Sequence, residues 1–259
     1  MDHIQTRRAA SGIAVVTIDR PERRNACSQA MWRGLRDGFA ALAADPEVRA
    51  AILTGAGGHF CAGADISEFE TSRNDAAAAE RYEADVADCE RAILDFPKPT
   101  VAAVTGYAMG GGCGLAVCCD FRVAHVSARF GIPAARLGIV YTMQECEALA
   151  AVVGVTNAKR ILYTGEPVDA HMAERMGLAD LVTEGDAVEA ATGFLGRMAE
   201  NAPLSIRGAK LALNAIARGM AAEREAELRD LAARAADSAD YAEGRRAFMA
   251  KRSPRFTGQ

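Results

Sequence analysis

Two glycine-bearing segments hold the residue types best suited to chemistry. The first is Cys61-Ala62-Gly63-Ala64-Asp65 and the second is Gly110-Gly111-Gly112-Cys113-Gly114. Each follows a strand-like run and leads into a helix. A helix start leaves backbone N–H groups unpaired at the positive end of its dipole. Glycine lets a ligand oxygen approach such groups closely. Two N–H groups aimed at one point form an oxyanion hole, which stabilises developing negative charge. The plainer reading is that the glycines permit tight packing of helix on sheet, and for either loop alone it is the better one. The second loop lacks the GK[ST] ending of a phosphate loop and is not a dinucleotide GxGxxG. From Ala108 to Thr142 the one carboxylate is Asp120, so this stretch brings no obvious acid–base partner to the loops.

The elements that must position these loops alternate between β and α. Gly12 to Asp19 is rich in β-branched residues and reads as a strand. Ser28 is placed to cap a helix that runs to about Ala44. Val48 to Gly55 is a short apolar run that suits a buried strand. Ala76 to Leu94 reads as a helix, stopped by Pro97 and Pro99. The segment from Thr100 to Ala124 reads as strand, glycine loop, buried helix and strand. A helix over Thr156 to Tyr163 and a strand over Gly177 to Thr183 follow. Then come helices at about Asp186–Glu200, Leu204–Ala217, Ala221–Asp237 and Tyr241–Lys251. This is an α/β body with an all-helical tail. The expected division is 1–200 and 201–259.

The 259 residues are 50% hydrophobic and 25% charged, enough for a full core. A net charge of -4 gives no footprint for nucleic acid. No apolar run reaches the roughly 18 residues that span a bilayer, and the first residues lack the apolar core of a secretion signal. Seven cysteines, mostly in apolar segments, fit a reducing cytoplasm. They lack paired CxxC spacings, so no metal site is expected.

Taken in order, the two loops resemble the crotonase (enoyl-CoA hydratase/isomerase) family. The resemblance spans nearly the whole chain. It rests on IDRPERRNA (18–26), ILTGAGGHFCAGADISEF (52–69), KPTVAAVTGYAMGGGCGLAVCCDFRVA (98–124), ARFGIPAARLGIV (128–140), LYTGEPVDAHMAERMGLADLV (162–182) and the tail from Asp237 to Phe256. It implies a spiral of ββα units with a helical C-terminal region that serves assembly as a homotrimer or a dimer of trimers. It also implies an acyl-CoA thioester as substrate or ligand, with no other cofactor. The family's oxyanion N–H groups fall on Ala64 and Gly111. Coenzyme A contacts fall on Ala62, Asp65 and Ile66, and on Phe248 and Lys251 of the tail, often from a neighbouring subunit. Phe69, Met109, Ile132, Tyr141 and the loop from Arg73 to Ala79 are expected to set the acyl pocket.

The chain departs from the family where its acids belong. The two hydratase glutamates fall on Gly114 and Ala134, and the acid of several isomerases and dehalogenases falls on Thr142. Without them ordinary hydration is not expected. Tyr141, in a segment that resembles methylmalonyl-CoA decarboxylases, is the first candidate to replace them. The expected activity is therefore decarboxylation or isomerisation of a short acyl-CoA. The alternative is a binding protein that keeps the hole without chemistry. Glu145 and Glu147 read as solvent-facing or ion-paired, with Glu145 able to turn inward. Asp65 and Glu68 read as acids at a helix start, His59 and His125 as structural, and Cys113 as packing.

Overall fold

The alternation of apolar side chains along each strand decides which layer it contacts. In a computed structural model, which describes residues 3–9, 11–72 and 74–259, strands β1 (Ile4–Arg8), β2 (Ile13–Ile18), β3 (Ala50–Gly55), β4 (Thr100–Val104), β6 (Phe121–His125) and β9 (Leu181–Thr183) form one sheet in the order β1-β2-β3-β4-β6-β9. β1 runs antiparallel to β2, and the others pair in parallel. Ala14, Val16, Ala51, Leu53, Ala102, Val104 and Ala124 face one layer. Their sequence neighbours Ile13, Val15, Ala50, Ile52, Val101, Ala103 and Val123 face the other, against Ala187, Ala191 and Leu195 of α8 (Ala187–Ala199). This period of two, buried on both faces, is why the strands read as continuous apolar runs.

The first layer contains α1 (Gln29–Ala44), α2 (Phe69–Ser72), α3 (Ala76–Leu94) and α4 (Gly111–Cys118). Ser28 caps α1 by accepting from Met31 N, as expected. Asp75 caps α3 in the same way. The buried indole of Trp32 on α1 donates to Tyr82 Oη on α3 at 2.9 Å, which fixes these helices to each other. A small second sheet holds β5 (Tyr107–Met109), β7 (Arg129–Gly131) and β8 (Val168–Asp169).

After α5 (Ala134–Leu137) comes α6 (Met143–Thr164), which is longer than the expected helix at Thr156–Tyr163. Gly154, at φ +74°, breaks it. The sequence pattern captured the part beyond that glycine. α7 (Ala170–Arg175) precedes β9. The chain ends in α9 (Pro203–Ala217), α10 (Ala221–Ala236) and α11 (Ala239–Met249). No helix among the described residues is long and apolar enough to cross a membrane.

Candidate active site

The first glycine loop is threaded between the segment at Cys27 and strand β5, which hold its backbone. Cys27 N donates to Gly63 O at 2.7 Å and Asp65 N donates to Cys27 O at 2.8 Å. These two bonds flank Ala64 and leave its own N–H out of the ladder. On the other side, Cys61 N donates to Tyr107 O and Met109 N donates to Cys61 O, each at 2.9 Å. Gly63 sits at φ +99°, where a Cβ would lie 2.7 Å from Met109 O and 3.4 Å from Gly111 N. Only glycine permits that approach.

The second loop meets the first there. Gly111 is the first residue of α4, so its N–H has no partner inside the helix. A Cβ on Gly112 would collide with Cys61 O, so the helix start is pressed against the first loop. Among the described residues, neither the Ala64 N–H nor the Gly111 N–H donates a hydrogen bond. Both residues line one cavity of about 150 Å³, with Trp32, Val86, Tyr141 and Glu145 in its walls. Two unspent donors on one small space is the arrangement an oxyanion hole requires.

The other expected residues are distributed unevenly. Ala62, Ile66 and Phe69 line the cavity, with Ile66 exposed at its rim. Met109 and Ile132 stand behind the wall; Met109 packs against Gly131, and Ile132 is buried in the core. The Asp65 side chain supports the loop. Its Oδ2 accepts from Arg20 at 2.7 Å, and its Oδ1 accepts from the amide and hydroxyl of Ser67. Phe248 is exposed and borders a separate hollow with Tyr241 and Phe256. Lys251 follows α11 in a left-handed conformation. Within one chain neither reaches the cavity. Arg73, at one end of the expected pocket loop, lies outside the described residues.

His59 is structural, as expected: its Nδ1 accepts from Tyr107 N at 3.3 Å and its ring stacks on Tyr107. His125 ends β6, with its ring on the Ser127 hydroxyl. Burial pushes the Cys113 thiol up to about 12, so it is packing and not a thiolate. No group of three or more potential metal ligands occurs among the described residues.

The carboxyl groups are where the structure departs most from the sequence reading. Glu145 is half-buried and forms no ion pair with a described residue. It lines the cavity and closes a capping box, its Oε2 accepting from Thr142 N at 2.8 Å and Thr142 Oγ1 at 2.7 Å. A carboxylate thus folds back onto position 142, which lacks one of its own. Position 114 is served likewise. A Cβ on Gly114 would lie 2.7 Å from Glu90 Oε1 of α3. Glu90 is 3% exposed, and no hydrogen bond from a described residue reaches its carboxyl. Burial first, then the nearby charges of Glu145 and Glu83, raise its pKa to about 8.

Sequence reasoning missed Glu90, although a signal was present. It interrupts the buried stripe of Tyr82, Val86, Cys89 and Ile93 on α3, where a carboxylate rarely sits without a purpose. Tyr141 does line the cavity. Burial, then Glu145, pushes its phenol further above its ordinary range, so it remains an O–H group.

Comparison with known proteins agrees with this geometry. The family model described as Enoyl-CoA hydratase/isomerase matches residues 8–259. A 2,3-dehydroadipyl-CoA hydratase of Escherichia coli is 35% identical, with 95% of this chain and 96% of that protein covered. A crotonyl-CoA hydratase of Syntrophomonas wolfei is also 35% identical, with 94% of each covered. A crystal structure of an enoyl-CoA hydratase/carnithine racemase from Magnetospirillum magneticum superposes with a TM-score of 0.91 at 40% identity, covering 100% of this chain and 97% of that one.

Proposed function

Because the chain belongs to the enoyl-CoA hydratase/isomerase family, we propose that it moves the double bond of a short, uncharged enoyl-CoA through an enolate held by the Ala64 and Gly111 N–H groups. The observation that carries this reading is the presence of those two unspent donors on one small cavity. A thioester oxygen placed there gains charge as the enolate forms. Each preorganised donor of this kind is worth on the order of 100- to 1,000-fold in rate.

The lining favours isomerisation over decarboxylation. No lysine, arginine or histidine lines the cavity among the described residues, whereas Glu83 and Glu145 do. A malonyl-type carboxylate would meet the like charge of Glu145 there, with no cation among the described lining residues. An uncharged enoyl chain meets Trp32, Phe69, Val86 and Ile139 instead. A double-bond shift needs one proton carrier, and the carboxyl groups at hand remove the motive for a purely binding role.

Hydration is the second reading. It is favoured by the hydratase names of the two relatives and by the presence of a second carboxyl, Glu145. The test is incubation of 3-butenoyl-, crotonyl- and methylmalonyl-CoA with the protein in deuterium oxide, read by mass spectrometry. Conversion of 3-butenoyl-CoA to its isomer crotonyl-CoA, separated by chromatography before the mass spectrometer, is expected, with deuterium entering the chain wherever the carried proton exchanges with solvent before its return. Addition of water to crotonyl-CoA without such conversion would move the assignment to hydratase. Loss of carbon dioxide would overturn the argument from the lining. Assembly as a homotrimer or dimer of trimers belongs to the same proposal; exposed Leu213 and Ile216 on α9 are consistent with a buried role there, and light scattering measures it.

A further inference from the structure

We propose that Glu90 is the catalytic base and acid of this site, taking the proton from C2 of the bound thioester and returning it at C4. Three surfaces set it behind the residues that line the cavity, next to Gly114. On α3, Glu83, Val86 and Glu90 fall on one helical face, and the first two line the cavity. On α4, Gly111 and Gly114 fall on one face, one turn apart, or about 5 Å along the axis. The Glu90 carboxyl abuts Gly114, which sets it one turn from the N–H that holds the thioester oxygen. From the third side come Tyr141 and Glu145, both in the cavity wall and both in electrostatic reach of Glu90. A side chain at position 114 would occupy the place of this carboxyl, so the glycine is what admits it.

The chemistry balances on one group. The Glu90 carboxylate takes the C2 proton. The C–H pair moves into C1–C2, and the thioester π pair moves onto oxygen, where Ala64 and Gly111 hold it. The Glu90 O–H then protonates C4, C2–C3 becomes the double bond, the carbonyl re-forms, and Glu90 returns to its starting state. An ordinary carboxylate is a weak base for such a proton. One whose pKa lies near the working pH combines usable basicity with a usable ionised population. The groups facing Glu90 are Glu83 and Cys89 of α3, Cys118 of α4, Tyr141 and Glu145. None of these described groups is a cation.

This inference rests on the enolate reading, and the experiment separates their failures. The full-length protein is assayed with 3-butenoyl-CoA in deuterium oxide, as wild type, Glu90→Gln, Glu90→Ala and Glu90→Ala/Gly114→Glu. Glu90→Gln should lower kcat by at least about 100-fold with KM little changed, as expected for loss of proton transfer alone. Wild-type kcat should rise with pH through about 8, and the variant should lose that limb. Returning a carboxyl from α4 in the double variant should recover about tenfold or more over Glu90→Ala. Glu90→Gln turnover within a few-fold of wild type would overturn the proposal while leaving the enolate reading intact. Wild type inert toward every thioester would overturn both. Should the variants fail to fold by circular dichroism, the wild-type pH profile decides: a limb that falls through about 8, or none, overturns the assignment.

Discussion

Asp65 and Glu90 are both buried carboxyl groups beside the cavity, and their surroundings treat them in opposite ways. Burial works to raise the pKa of each. At Asp65 the hydrogen bonds from Ser67 and the Arg20 guanidinium outweigh burial and hold the group below its ordinary value. At Glu90 no donor among the described residues answers, and the nearby charges of Glu145 and Glu83 add to burial. One carboxylate is therefore a fixed charge that anchors the first glycine loop. The other is a carboxylic acid at neutral pH that can exchange its proton. Partners, more than depth, distinguish a structural acid from a reactive one.

The largest expected effect comes from making Asp65 resemble Glu90. Arg20→Met leaves the Asp65 carboxylate without its cation and should cost about 3–5 kcal/mol in chemical denaturation near neutral pH. Because the folded pKa of Asp65 is depressed, its contribution is present above the unfolded value and is lost as pH falls through the folded one. The penalty in Arg20→Met should therefore shrink below about pH 4.

The converse change relieves Glu90. Its folded pKa is raised, so the wild type is most stable below the unfolded value and loses stability as pH rises through about 8. Glu90→Gln should remove that slope and gain on the order of 1–3 kcal/mol at about pH 9, read from urea titrations across pH. A variant that gains stability as it loses turnover would mark a group retained for chemistry and not for folding.

Smaller effects sharpen the roles of the third wall. Thr142→Ala opens the capping box of α6 and should cost about 1 kcal/mol by thermal melt. It also frees Glu145 Oε2, so the midpoint of the pH–rate limb should shift measurably. Tyr141→Phe keeps the ring and removes a phenol that stays protonated. A loss of turnover under about tenfold is expected, well short of Glu90→Gln. A larger loss would return the main proton-carrying role to Tyr141.

The sequence by itself determined the alternating core and the two glycine loops. Those features are local. The periods of two and 3.6 decide which faces are apolar, Ser28 caps α1 through a bond three residues on, and α3 begins at the expected Ala76. The ordered loop motifs also pointed to Ala64 and Gly111, which line one cavity with N–H groups that donate no hydrogen bond among the described residues. Shorter elements escaped. β5, β7 and β8 hold only two or three residues each, too few to display a period.

Tertiary structure alone decided where the acids are. Position 114 and position 142 are empty in the linear text, yet Glu90 reaches one from another helix and Glu145 bends back to the other. Residue 90 is 24 positions from residue 114, and no local rule joins them. What joins them is the packing of α3 on α4 over a glycine that leaves room for a carboxyl. A side chain's reactivity follows the dielectric and charges around it, and these come from chain segments far apart in sequence.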